Sequence, residues 1–148
     1  MTRFYATDAA VARIAHGVIA RTLPKPEWTH AAHFAAALWL LRDRPLAAVV
    51  ADMPGLIRAY NEATDTPNTD TGGYHHTITL ASIGAAGDFL GRYAPAHPLH
   101  GIVDDLMASP LGRPGWLMDY WSKARLFSVE ARRGWVGPDL QAFPHAVG

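Results

Sequence analysis

The stretch THAAHFAAALWLL, Thr29 to Leu41, repeats apolar side chains at helical spacing and decides the fold class. Positions 30, 33, 34, 37, 38 and 41 read His, His, Phe, Ala, Leu, Leu, one stripe of a helix running from about Pro26 or Thr29 to Asp43. Two histidines therefore share the side that carries core residues. Working outward, Val11, Ile14, Ala15 and Val18 predict an earlier helix from Thr7 to about Arg21, with Thr7 capping its first turn and Pro24 and Pro26 ending it. Pro45 suits the first turn of a third helix to about Thr64, which Pro54 and Gly55 should kink or split.

The polar run TDTPNTDTGG, Thr64 to Gly73, is the longest expected loop of the first two thirds, either a lid or a spacer. Helical pattern returns from Tyr74 to about Tyr93, with apolar residues over a broad arc that predicts a central position. Short amphipathic helices follow from Leu99 to Pro110 and from Gly115 to about Lys123, and Ser128 can cap a last one with Glu130 in its first turn. Beyond Gly137 the tail reads as extended. With no alternating strand pattern, the expected class is all-α, a single bundle-like helical domain over residues 1–148.

Composition narrows function. Thirteen Lys and Arg balance thirteen Asp and Glu, so there is no basic excess to attract nucleic acid. The chain has no cysteine, which removes thiolate chemistry and Cys-type metal sites. The apolar run Phe34 to Leu41 is far below the roughly 20 residues of a membrane span, and Asp8, Arg13 and His16 interrupt any targeting pattern in the first twenty positions. The expectation is a soluble, cytoplasmic protein acting on or binding a small molecule, with self-association into a homo-oligomer left open.

Eight histidines, at 16, 30, 33, 75, 76, 97, 100 and 145, carry the functional signal. His30 and His33, three apart, face the same way on a helix and can chelate. If the second and third helices have similar lengths at about 1.5 Å per residue, the chain returns to its starting level. His75 and His76 then fall in the layer of His30 and His33, together with Asn61 and Glu62. Three neutral imidazoles with an open fourth position lower the pKa of zinc-bound water to about 7. Glu62 or Glu27 could add a fourth ligand or a general base, Glu62 being the candidate catalytic residue. Tyr74 and Thr77 could orient a ligating ring. The metal would be a divalent transition ion, and histidine alone does not choose among zinc, iron, nickel and copper. The spacing of Glu27 and His30 also fits carboxylate-bridged di-iron helices, but those need the motif twice plus two further glutamates.

Three segments, THAAHFAAALWLL, YNEATDTPNTDTGGYHHTIT (Tyr60 to Thr79) and LFSVEARRGWVGPDL (Leu126 to Leu140), resemble a largely uncharacterised bacterial family of small helical proteins. Its elements are T-H-x-x-H, Y-H-x-T, and a C-terminal L-x-S-x-E-A-R followed by P-D-L. The resemblance spans about residues 29 to 140 and implies that His30, His33, Tyr74, His75 and Thr77 occupy motif positions. It thus favours His75 over His76 as third ligand, since the family often has an acid where His76 stands, and it implies no activity.

Arg125, Arg132 and Arg133 could offer guanidinium donors to a substrate carboxylate or phosphate, or pair with Glu130 or Asp139. Trp28, Trp39, Trp116, Trp121 and Trp135 read as core or pocket wall. Two functions follow: a His-ligated metal enzyme acting on a small molecule, or a non-catalytic helical module that binds a small ligand or a protein, its histidines satisfying buried polar groups.

Overall fold

Thr29 is extended and its hydroxyl oxygen accepts from the Ala32 N–H at 3.2 Å, which starts the decisive helix at His30 rather than at Pro26. In a computed structural model, which describes residues 3–147, this is α2 (His30–Asp43). It stops at Arg44 because a residue preceding proline is pushed out of the helical region. The other helices are α1 (Asp8–Ile19), α3 (Leu46–Ala63), α4 (His76–Leu90), α5 (Leu99–Ala108), α6 (Lys123–Leu126) and α7 (Val129–Arg133). The described residues contain no strand, and the helices pack as one bundle-like domain. Met1, Thr2 and Gly148, included in the single-domain expectation, lie outside the described residues. No helix among the described residues is long and apolar enough to cross a membrane.

α2, rather than α4, is the hub: it packs against α1, α3, α4 and α5. It is buried nearly all round, with Ala31, Ala32, Ala35, Ala36 and Ala37 inside as well as Phe34, Leu38 and Leu40. The expected single stripe was too narrow because alanine counts as apolar on every face. α3 runs unbroken through Pro54, which is itself buried. A proline removes one N–H and crowds the preceding turn, but the packed faces on either side of Pro54, from Val49 to Tyr60, hold the helix.

The region after Gly115 departs most from expectation. Only a 3-10 turn, Trp116–Asp119, forms there, and a separate helix starts at Lys123. Asp139 accounts for the break: its carboxylate accepts from the Ser122 N–H at 2.7 Å and the Ser122 hydroxyl at 2.6 Å, while the Leu140 N–H donates to the Tyr120 carbonyl at 2.9 Å. These tertiary bonds outcompete a continuous short helix. Ser128 caps α7 as expected, accepting from the Ala131 N–H.

Two glycines separate free helix surface from occupied surface. A methyl group at Gly55 meets nothing, whereas one at Gly84 runs into the Ala146 carbonyl, where the C-terminal tail crosses α4. Gly55→Ala is therefore expected to raise unfolding free energy by about 0.5–1 kcal/mol, from helix propensity alone. Gly84→Ala should bring no gain, because the tail must move. Urea unfolding of both variants checks the contrast.

Candidate functional site

Half of the expected layer shares one cavity: the first turn of α2, the last turn of α3 and the start of α4 meet around about 430 Å³, whose walls leave out His30, Glu62 and His76. His33, Asn61 and His75 line it together, with Trp28, Ile57, Tyr74 and Ile78 among the other walls. His33 and Ile78 also line a second, largely apolar cavity of about 210 Å³ between α2, α4 and the 3-10 turn, where His30, Phe34, Trp116 and Leu126 contribute.

Each histidine expected to bind metal instead holds backbone. His75 is the N-cap of α4: its Nδ1 accepts from the Ile78 N–H at 3.2 Å and its Nε2–H donates to the Leu126 carbonyl at 2.7 Å. Both ring nitrogens are thus committed, which fixes the neutral tautomer and leaves no lone pair for a cation. His30 donates Nε2–H to the Leu111 carbonyl at 2.8 Å. His33 donates Nδ1–H to the Thr29 carbonyl at 2.6 Å, one turn back on its own helix. His76 exchanges a hydrogen bond between Nδ1 and the Tyr74 hydroxyl at 2.8 Å. Among the described residues, no group of three or more His, Asp or Glu is placed to hold a metal ion.

The remaining site candidates are also reassigned by position. Glu62 is exposed and lines neither cavity, because the buried side of α3 at that turn is taken by Tyr60 and Asn61. Glu27 is clasped by Arg13 at 2.5 and 3.2 Å. Thr77 is fully buried, but it orients no ring: its hydroxyl donates to the Gly134 carbonyl at 2.9 Å and accepts from the Val136 N–H at 3.1 Å. Arg125 donates Nε–H to the Gly137 carbonyl at 2.6 Å, and Arg132 donates to the carbonyls of Gly73 and Tyr74. The guanidiniums therefore brace the C-terminal segment and the loop, and neither side chain lines either cavity.

What the arrangement does offer is the other nitrogen of His33. The Thr29 bond places the proton on Nδ1, so Nε2 carries a lone pair, and no described residue satisfies it. Among the described residues no fully buried side-chain nitrogen or oxygen lacks a partner, so this nitrogen is accessible, on a residue that lines both cavities. The Trp28 ring stacks on the imidazole at 3.8 Å between centroids, 28° from parallel, and fixes its plane. Burial, with smaller contributions from the neighbouring His30 and the Lys25 charge, pushes the His33 pKa down to about 4, so the ring stays neutral near pH 7. Burial likewise lowers His75 and His76. The sequence reading did not single out Lys25, which lines the same cavity from the 3-10 turn before α2. Its only sequence signal is the Pro24 and Pro26 pair that holds it in that turn.

The chain matches no known protein family, no curated protein and no solved structure in the comparisons made.

Two measurements test these roles. The unfolded chain protonates histidine near pH 6.5, above the folded value for His33, so stability is full above pH 6.5 and falls as pH drops towards 4. The shift corresponds to at most about 3 kcal/mol. Urea unfolding between pH 7.5 and 4.5 should show the loss, and His33→Gln should make it shallower, leaving the share that His75 and His76 contribute. Separately, His75→Ala removes a cap and a buried donor, and is expected to cost about 2–3 kcal/mol. His75→Asn should recover the capping share only.

Proposed function

We propose that this protein is a helical small-ligand-binding module, its ligand seated in the cavity between α2, α3 and α4. The observation that carries the reading is the Nε2 lone pair of His33, oriented by the Thr29 carbonyl and the Trp28 ring and left for a guest. Binding sites of this kind combine apolar walls with a few placed polar groups. Here Trp28, Ile57 and Ile78 supply the walls. Since Nε2 accepts and cannot donate, it selects a ligand with a hydroxyl or N–H donor.

The metal-enzyme reading has less support. A divalent ion bound by His30, His33 and His75 would need Nε2 of His75 to give up the Leu126 carbonyl, or Nδ1 to uncap α4. Either exchange leaves a backbone group unsatisfied, at a cost of about 1–3 kcal/mol when buried.

Two titrations decide between the readings. With a phenol probe followed in 1H–15N spectra, shifts are expected at Trp28, His33, Ile57 and Ile78, and His33→Phe should weaken phenol about threefold to tenfold, one hydrogen bond's worth, while leaving toluene-like probes unaffected. Treatment with EDTA should leave Tm unchanged, because a metal bound only to the native state would stabilise it by mass action. A Tm fall of several degrees, with metal released in stoichiometric amount, would return the histidines to the metal reading.

A further inference from the structure

The cavity that the proposed function treats as a ligand seat has, among the described residues, one Lys, Arg, Asp or Glu in its wall, Lys25. The charged neighbours that act on the surrounding histidines are cationic: Lys25 on His33, Arg132 on His75 and Arg58 on His76. None of these three cations forms an ion pair among the described residues. The acids close by are engaged elsewhere. Glu27 is held by Arg13 at 2.5 Å and Asp70 by Arg133 at 2.7 Å, while Glu62 faces away from the cavity.

The three cations are not equally available. The Arg58 guanidinium lies over the Tyr74 ring at 4.2 Å, and one arm of Arg132 is spent on the Gly73 and Tyr74 carbonyls. The Lys25 ammonium makes no hydrogen bond to the described residues and lies 5.5 Å from the centre of the Tyr60 ring. One unpaired ammonium on a residue of the cavity wall suits a single negative charge. A phosphate dianion calls for several converging donors, and here the Ile78 N–H at the start of α4 is already taken by His75.

We infer that the cavity takes a small organic monocarboxylate that also carries a hydroxyl or N–H group, its carboxylate at Lys25, its donor at Nε2 of His33 and its apolar body against Trp28, Ile57 and Ile78. The inference rests on the reading of this cavity as the ligand seat and adds the charge class of the guest.

The test uses three phenolic probes of one size and different charge, 4-hydroxyphenylacetate, 4-hydroxyphenylacetamide and tyramine, titrated into the full chain and followed at the Trp28 indole and the Ile57 and Ile78 amides. The carboxylate should bind about threefold to tenfold tighter than the amide, as expected for one charge-assisted contact near the surface, and the amine should bind weakest. Added salt should erode the carboxylate's advantage only. Lys25→Met should abolish the preference with amide affinity unchanged, and Lys25→Arg should keep it. Lys25 is exposed on a turn, so both variants should retain the wild-type Tm, which is measured alongside. Equal affinities for the three probes in the wild type, or a preference that survives Lys25→Met, would overturn the monocarboxylate assignment alone. If none of the three shifts the cavity resonances, the ligand-seat reading falls with it.

Discussion

Close approach to one alanine-rich helix is the constraint on which the rest of this structure depends. Four helices can lean on α2 because five of its first eight side chains are buried alanines, and the distance between packed helices is set by side-chain size. Larger residues at those positions would push α1 and α4 outward together, since both pack against α2. With its middle walled in, α2 brings polar side chains to open space at its two ends, Arg42 and Asp43 at one and the histidines of the first turn at the other. His33 lies there, between the end of α3 and the start of α4, so the packing that builds the core also creates the cavity.

The histidines answer a second demand, that of backbone carbonyls in irregular segments. Thr29, Leu111 and Leu126 each present a carbonyl that an imidazole N–H satisfies. Neutral imidazole carries one donor and one acceptor on opposite sides of a rigid ring, and position 75 uses both at once. Aspartate there could cap α4 but, when ionised, could not donate to Leu126; serine has the right groups but too short a reach. The C-terminal segment is fastened to α4 by this ring and, two residues later, by Thr77, which bridges Gly134 and Val136. The residues that resemble a chemical motif are in this sense joints between the bundle and its C-terminal extension.

This explains how far the sequence could be read. Helix periodicity and caps made most of the bundle legible: Thr7, Thr29 and Ser128 begin helices where side-chain capping predicts. Matching the lengths of α2 and α3 also brought His33, Asn61 and His75 to one level, and they line one cavity. What spacing could not supply is where each ring nitrogen points. A metal ligand and a carbonyl brace are the same neutral imidazole in the same sequence position, distinguished only by distant partners such as Leu111 and Leu126, 81 and 51 residues away. The break before Lys123 was hidden for the same reason, because it depends on Asp139 reaching back to Ser122. Lys25 escaped notice because a lone lysine between prolines has no pattern, and its meaning comes from the absence of an acid on the cavity wall it joins.

The charges around the cavity and the tautomers inside it are one arrangement seen twice. Cations near His33, His75 and His76 oppose protonation of those rings, adding to what burial already does. A protonated His75 would lose the lone pair that caps α4, and a protonated His33 would lose its one acceptor nitrogen. Carboxylates in place of Lys25 and Arg58 would favour the charged rings and so weaken both the joint and the seat. Positive surroundings therefore serve the fold first, by keeping imidazole in the form that can accept a hydrogen bond. The anionic guest proposed above fits the same arrangement, because the Lys25 charge that adds to burial in keeping a proton from His33 would also draw a carboxylate.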